Sequence, residues 1–94
     1  MTDVQILWDL EDDPDGNVQH IAANDVTVEE YVEVFIGNYK RPTVSRESGR
    51  PICFGWTSTG KHIVVVWEEV QAEDPLIIRP VTAFETPPRR RKRR

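Results

Sequence analysis

The clearest hydrophobic pattern in the chain is an alternating run followed by a continuous one, with a short polar turn between them. Ile52, Phe54 and Trp56 alternate with smaller residues, which is the two-residue period of a strand whose faces differ. Residues 63–67 (IVVVW) are apolar throughout, as is typical of a central strand covered on both faces. Gly60 in the turn can adopt the positive φ that hairpin loops often need. The pattern predicts a β-hairpin whose second strand is central.

Helical periodicity is strongest between residues 27 and 38. Thr27 is followed three residues later by Glu30, the spacing of a capping box at a helix start. Apolar residues then recur at helical spacing and predict a core-facing stripe of Val28, Tyr31, Val32, Phe35 and Ile36. Gly37 and Asn38 are expected to end this helix.

The segment before this helix predicts a strand and a shorter helix. Residues 4–8 (VQILW) form a short apolar run that is typical of a strand. Asp13 before Pro14 has the pattern of an N-cap followed by proline at the first helical position. We expect this helix to end at Asn24 and Asp25, since Asn tolerates the left-handed conformation that ends helices.

Two more strands are predicted around the hairpin. Residues 43–46 follow Pro42 and can form an edge strand. Residues 76–84 form a last strand, in which Pro80 lacks a backbone donor and therefore favours an edge position or a bulge. The elements together predict an α+β fold, with two N-terminal helices packed on one face of a three- to five-stranded antiparallel sheet.

Length and composition favour one small cytoplasmic domain. The chain has 94 residues, of which 38% are hydrophobic, enough for a single core over residues 1–86. Residues 87–94 (PPRRRKRR) cannot bury apolar surface and are expected to form a disordered basic tail. The single cysteine, Cys53, excludes an internal disulfide and fits a reducing compartment. We expect no signal peptide, no membrane segment and no membrane partner.

The net charge of −4 is the sum of an acidic body, residues 1–88, and a basic tail. Six of the twelve basic residues are Arg89–Arg94, which leaves six basic residues against sixteen acidic ones in the body, a net charge of −10. Binding of the phosphate backbone depends on Lys and Arg, so the body is poorly suited to it. The tail, including Arg89, Arg90 and Arg91, can hold RNA or an acidic partner surface, or can be no more than a solvated tail.

Several local strings resemble the BrnT family, ribonuclease toxins of bacterial type II toxin–antitoxin pairs with a RelE-like fold. The resemblance spans roughly residues 5–86. The strings that carry it are DVTVEEYVEVF at residues 25–35, Arg50 with Gly55, Gly60 and VVVW at residues 64–67, and Ile78-Arg79 with Thr82-Ala83. It implies RNA and a cognate antitoxin protein as partners, and no cofactor.

The basic positions of the family are mostly replaced in this chain. Ala23 and Asn24 occupy the place of a Lys-His pair, and Trp56 and Phe84 occupy places where arginine is usual. Arg50 and Arg79 are the matching basic residues that remain. The resemblance thus implies the fold more strongly than it implies catalysis.

Candidate catalytic residues are Arg50, His62 and Arg79. Cleavage in which the RNA 2′-hydroxyl attacks the phosphate requires stabilised negative charge and a proton donor for the leaving oxygen. The arginines can stabilise charge, and His62 can transfer a proton or be an exposed bystander beside a turn.

Candidate substrate-binding residues are Trp56, Lys61 and the three tail arginines Arg89, Arg90 and Arg91. Lys61 can stabilise phosphate charge. Trp56 can stack a base, or can be a half-exposed core or interface residue. His20, Cys53 and His62 lack metal-ligand spacing, so no metal site is expected, and Cys53 is expected to be a small buried apolar residue.

Two functions follow as hypotheses. The first is a toxin-family RNA endonuclease with a degenerate active site, silenced by an antitoxin that covers the sheet. The second is a non-catalytic partner-binding or regulatory protein on the same fold, which the acidic body and the replaced basic residues favour. An RNA-binding module that works through the basic tail is a third, weaker hypothesis.

Overall fold

A computed structural model describes residues 4–72 and 75–87 of the chain. The elements in chain order are β1 (Val4–Ile6), α1 (Asn17–Ala23), α2 (Val28–Asn38), β2 (Thr43–Val44), β3 (Pro51–Trp56), β4 (His62–Gln71) and β5 (Leu76–Glu85). The five strands form one sheet in the order β1-β5-β4-β3-β2. The α+β class and the central position of the second hairpin strand are confirmed. Neither of the two helices in the described ranges is long and apolar enough to cross a membrane.

The sheet is mixed, because β1 runs parallel to its neighbour. Val4 lies opposite Leu76 of β5, and Ile6 lies opposite Ile78, in parallel register. The other three strand pairs are antiparallel. The prediction of an antiparallel sheet is therefore wrong at this edge. A parallel neighbour needs a long connection, which the two helices and three strands between β1 and β5 supply.

The β3–β4 hairpin forms as predicted. Its turn contains Gly60 at φ 93°, a conformation that glycine adopts without steric cost. Strand β4 continues beyond β3 to Gln71, where it pairs with β5 alone. A register shift separates Val66 from Trp67, and Pro80 lies opposite Trp67 at that shift. Pro80 meets both alternatives, because it lies at this bulge and also beyond Ile78, the last residue of β5 that pairs with β1.

Helix α2 begins with the predicted capping box, but its buried face differs from the predicted stripe. Thr27 accepts a hydrogen bond from the Glu30 N–H, and the Glu30 carboxylate accepts one from the Thr27 N–H. Val34 is buried, whereas Ile36 is 52% exposed and Val32 only half-buried. A Cβ on Gly55 would lie 3.2 Å from Val34 Cγ1, so the helix packs into a space that only glycine leaves open. This contact with β3 sets the helix rotation.

Helix α1 begins later than predicted. Its N-cap is Gly16, without a side-chain cap, so the prediction of Asp13 as N-cap is wrong. The Asp13 carboxylate instead accepts a hydrogen bond from the Asp15 N–H at 3.0 Å, which forms a turn. The helix ends at Asn24 as expected, but the left-handed residue is Asp25 at φ 64°.

Beyond the end of β1, α1 covers the edge of β5 that would otherwise be free. The Asn17 side-chain amide donates to the carbonyl of Pro80 at 3.2 Å, and the Asn24 amide donates to that of Ala83 at 3.1 Å. Side-chain amides thus replace a neighbouring strand along this edge.

The sheet has one face covered by α2 and one open face. The covered face contributes Cys53, Ile63, Val65, Trp67 and Ala83 to a core that also includes Ile21, Tyr31, Val34 and Phe35 of the helices. By the alternation of strand side chains, the open face carries Ile52, Phe54, Trp56, His62, Val64, Val66, Thr82 and Phe84. Cys53 is buried in the core, as expected.

Candidate functional site

The predicted site residues lie at two opposite ends of the β3–β4 hairpin. Arg50 and Arg79 line a groove of about 240 Å³ at the open end of the hairpin. We call this the arginine groove, and it is lined by Asp9, Asp15, Gly16, Asn17, His20, Arg50, Glu68, Arg79, Pro80 and Val81. Trp56, Lys61 and His62 lie at the turn end. Glu68 lies six positions after His62 along β4, about 20 Å along a strand.

Strand register brings the two arginines to the same groove. Arg79 of β5 lies opposite Glu68 of β4. Arg50, just before β3, binds the same carboxylate: its Nε and Nη2 atoms both lie 3.0 Å from Glu68 Oε2. A guanidinium that directs two nitrogens to one carboxylate is held in a defined orientation.

Asp9 pairs with the second arginine and is itself held by helix α1. Arg79 Nη2 lies 2.9 Å from Asp9 Oδ2, which also accepts the Asn17 N–H at 2.8 Å. The Asp9 N–H in turn donates to the Asn17 side-chain oxygen at 2.9 Å. Asn17 is buried, and its amide donates to the carbonyls of Leu7 and Pro80. Asn17 therefore joins the end of β1, strand β5 and the start of α1 beneath the groove.

His20 is a groove residue that the sequence prediction missed, with a side chain that can transfer a proton. It lies one turn after Asn17 on α1 and shares the groove with both arginines, whereas the predicted His62 does not. The signal in the sequence was the spacing of three residues between Asn17 and His20, which places both on one face of a helix. The sequence does not show that α1 packs against β5, so it does not indicate that this face of the helix lines a groove.

The charges of the arginine groove nearly cancel. Two guanidinium groups face the three carboxylates of Asp9, Asp15 and Glu68, so these five groups together carry a net charge of −1. Two guanidiniums and an imidazole are suited to holding a phosphate and transferring a proton. The carboxylates compete for the same arginines and repel an anion.

Lys61 forms a second ionic cluster, against α2. Its Nζ atom lies 3.2 Å from Glu30 Oε1 and 3.5 Å from Asp25 Oδ2. Glu30 is buried and also accepts hydrogen bonds from the Thr27 N–H and the Thr59 hydroxyl. Burial raises the pKa of Glu30, but these hydrogen bonds and the Lys61 charge outweigh it, so the pKa lies below its ordinary value. Lys61 thus anchors the hairpin turn to α2.

The turn end of the open face carries an aromatic patch, defined as Phe54, Trp56, His62 and Phe84. Trp56 is 60% exposed, and its ring centroid lies 5.1 Å from that of His62. The His62 Nδ1 atom lies 3.1 Å from the Thr86 carbonyl, which fixes the imidazole orientation. Phe54 and Phe84 flank Val64 on the same rung of the sheet. Trp56 is thus a largely exposed surface residue whose ring lies against that of His62.

The remaining candidates concern metal and the tail. Across residues 4–72 and 75–87, no group of three or more His, Cys, Asp or Glu side chains is placed to hold a metal ion. Arg89, Arg90 and Arg91 lie outside the described residues, as does the predicted disorder of the tail from residue 88 onward.

Comparison of the chain with protein-family models, with curated protein sequences and with solved structures finds no match.

Proposed function

We propose that this chain is a cytoplasmic toxin-family protein of a bacterial type II toxin–antitoxin pair, with an RNA-cleaving site that has low activity. The observation that carries the proposal is the position of Arg50 and Arg79. They are the two basic residues that match the BrnT pattern, and they line one groove although 29 positions separate them. The observed order of elements, one strand, two helices and then antiparallel strands, also agrees with the resemblance.

The arginine groove contains the groups that RNA cleavage needs. In the proposed reaction the 2′-oxygen attacks the phosphorus and loses its proton, the bond to the 5′-oxygen breaks, and that oxygen receives a proton. Arg50 and Arg79 stabilise the phosphate charge, and His20, in place of His62, takes up the proton of the 2′-hydroxyl and gives it to the 5′-oxygen. His62 is excluded from this role by its distance of about 20 Å from the groove along β4.

Low activity follows from the ion pairs in the groove. Each arginine is paired with a carboxylate, so a phosphate must displace Glu68 from Arg50 and Asp9 from Arg79. Loss of a single charge stabiliser typically lowers kcat by about 10²–10³. Replacement of the family's further basic positions by Ala23, Trp56 and Phe84 compounds this loss.

The ion pairs also favour the second candidate, a non-catalytic partner-binding or regulatory protein on this fold. Paired arginines stabilise the junction of β1, α1 and the hairpin without any substrate. The aromatic patch, exposed on the face of the sheet opposite α2, has the composition of a binding surface. On this hypothesis the partner protein binds the open face, and the groove is structural.

Expression in bacteria with measurement of growth and RNA cleavage tests the proposal. We expect weak growth arrest and weak cleavage from the wild type, both abolished by Arg79→Ala while the circular dichroism spectrum is retained. Arg46→Ala removes an exposed arginine from the β2–β3 turn, outside the groove, and serves as the matched control.

A second variant separates the two candidates. Glu68→Gln releases Arg50 from its carboxylate and makes the groove less negative. If the groove cleaves RNA, this variant cleaves faster than the wild type. If the protein is a non-catalytic binder, purified wild type and Glu68→Gln both leave RNA intact, and the ribonuclease proposal is wrong.

A further inference from the structure

The outer edge of β3 is paired with a neighbouring strand over only part of its length. The two residues of β2, Thr43 and Val44, lie opposite Ile52 and Pro51. In the described part of the chain, no strand lies beside residues 53–56 on this side. A run of unpaired backbone groups on an edge strand is a template for another strand.

The hydrogen-bond alternation of the hairpin identifies which backbone groups are free. Thr57 N–H donates to the Lys61 carbonyl at 2.7 Å, so this pair is a hydrogen-bonded one. In an antiparallel ladder such pairs alternate, and Gly55 therefore bonds to β4. The N–H and C=O groups of Phe54 and Trp56 point away from β4, toward the open edge.

The pairing with β2 gives the same assignment independently. Ser45 N–H donates to the Arg50 carbonyl at 2.9 Å. Every second residue after Arg50 has its backbone N–H and C=O on the β2 side of β3. These residues are Ile52, Phe54 and Trp56. Beyond Ile52, however, there is no β2 residue to receive them. Four backbone groups thus lie on an open edge.

The edge is open because the chain turns away before β2. Arg41 N–H bonds to the Asn38 carbonyl in a turn after α2, and Pro42 follows. If the register of β2 with β3 continued, Arg41 would lie opposite Phe54, but its N–H is used in this turn. The gap that remains is a groove of about 500 Å³ between the β3 edge and the end of α2, which we call the edge groove.

The edge groove is lined by apolar and polar residues, two of them positively charged. Ile36, Cys53 and Phe54 line its wall. Lys40 and Arg41 also line it, are exposed, and form no ion pair within the described residues. In contrast, Lys61, Arg50 and Arg79 are all paired with carboxylates. The groove thus combines a backbone template, an apolar wall and unpaired positive charge.

We propose that the edge groove binds an extended acidic segment of a partner protein, which adds to the sheet as a strand beside β3. Main-chain hydrogen bonds to Phe54 and Trp56 hold the segment, as in other cases of strand addition. Its alternate side chains lie over the aromatic patch and against Ile36, and its acidic residues lie beside Lys40 and Arg41. This site is distinct from the arginine groove and does not depend on RNA cleavage there.

Amide hydrogen exchange, measured by NMR on the ¹⁵N-labelled protein, tests the strand addition residue by residue. The probe is a synthetic acidic peptide of sequence EEVTITVEE. In the free protein we expect fast exchange at Phe54 and Trp56 and slow exchange at Gly55. Peptide saturation should slow exchange at Phe54 and Trp56 at least about ten-fold and leave Gly55 unchanged. Unchanged exchange at both edge amides would overturn the proposal.

Charge reversal tests the choice of partner. The double variant Lys40→Glu/Arg41→Glu should raise the peptide Kd at least about ten-fold, because like charges then face each other. Arg46→Glu reverses a single charge outside the edge groove and should leave the Kd near that of the wild type, whereas Lys40→Glu alone should raise it. A peptide with proline at the centre, EEVTPTVEE, lacks a ladder donor and should bind more weakly.

Three other outcomes each overturn the proposal. A basic peptide, KKVTITVKK, that binds as tightly as the acidic one would exclude the charge complementarity. Protection of Phe54 and Trp56 that rises with protein concentration alone would identify a second copy as the occupant. A charge-reversed variant with a lower Tm but unchanged peptide affinity would show that Lys40 and Arg41 only offset the dipole of α2.

Discussion

Strand β4 buries side chains on both of its faces, and what covers them differs from one face to the other. Ile63, Val65 and Trp67 lie under α2 and are at most 2% exposed. Val64 and Val66, on the open face, are only 3% and 8% exposed although neither α1 nor α2 lies over them. The side chains of the neighbouring strands shield them, and Phe54 and Phe84 remain 44% exposed in doing so.

This difference separates apolar residues that hold the fold from apolar residues that are available to a partner. A side chain under a helix is packed against other side chains and has almost no contact with water, so its removal leaves a cavity. A phenylalanine on the open face is only partly buried. A ligand that covers it therefore gains the hydrophobic free energy of burying the rest of its apolar surface. The covered face therefore accounts for stability, and the open face is the better candidate for binding.

The largest effect is expected at the centre of the covered face. Phe35 packs edge-on against Trp67, with ring centroids 4.9 Å apart, and stacks on Tyr39. Phe35→Ala should lower the free energy of unfolding by about 3–5 kcal/mol, measured by chemical denaturation. Phe84→Ala on the open face should lower it by about 1 kcal/mol. Equal losses would mean that the two faces do not differ as described.

The next effect concerns the contact between α2 and β3. A Cβ at Gly55 would lie 2.6 Å from Asn38 Nδ2, so Gly55→Ala should lower the free energy of unfolding by about 1–3 kcal/mol. Gly37 lies within α2, and a Cβ at this position would have no neighbouring atom within 4 Å. Gly37→Ala should therefore raise the free energy of unfolding by about 0.5–1 kcal/mol. Thermal denaturation of both variants checks the opposite signs.

A smaller effect, dependent on pH, is expected where the covered face meets the hairpin turn. The pKa of Glu30 in the folded protein lies below its ordinary value of 4.5. Its contribution to stability is therefore present above pH 4.5 and is lost as the pH falls through the folded-state pKa. Glu30→Gln should lower the free energy of unfolding by about 1 kcal/mol at neutral pH.

Below the folded-state pKa, Glu30→Gln and the wild type should converge in stability. Denaturation curves across the acid range check this convergence. Glu29→Gln alters an exposed carboxylate in the same helical turn and is the control. A constant difference between Glu30→Gln and the wild type at all pH values would contradict the role given to the Glu30 charge.

The smallest effect distinguishes the observed rotation of α2 from the predicted one. The apolar spacing predicts that Ile36 faces the core, but it is exposed, so Ile36→Gln should change the free energy of unfolding by less than about 0.5 kcal/mol. Val34, which is buried, should lose about 2 kcal/mol on truncation to alanine. Chemical denaturation of both variants checks this rotation. A larger loss for Ile36→Gln than for Val34→Ala would contradict it.

The candidate site was less predictable than the fold. Arg50 and Arg79 were identified from the sequence, but their partners Glu68 and Asp9 and the neighbouring His20 were not. His62 was selected as the proton-transfer candidate near the hairpin, and the strand length then places it at the far end from both arginines. Lys61 was predicted to bind substrate, and the structure pairs it with Glu30 and Asp25. Ion pairs between distant segments leave no periodic signal in a sequence.

The sequence by itself determined the features that depend on near neighbours along the chain. Gly60 specifies the hairpin turn and Thr27 with Glu30 specifies the start of α2, because the groups involved lie within a few residues of each other. Only the tertiary structure decided the parallel pairing of β1 with β5, the rotation of α2 and the meeting of Arg50 with Arg79. Each of these depends on contacts between segments far apart in the chain, whose energies outweigh local preference only once the segments are packed together.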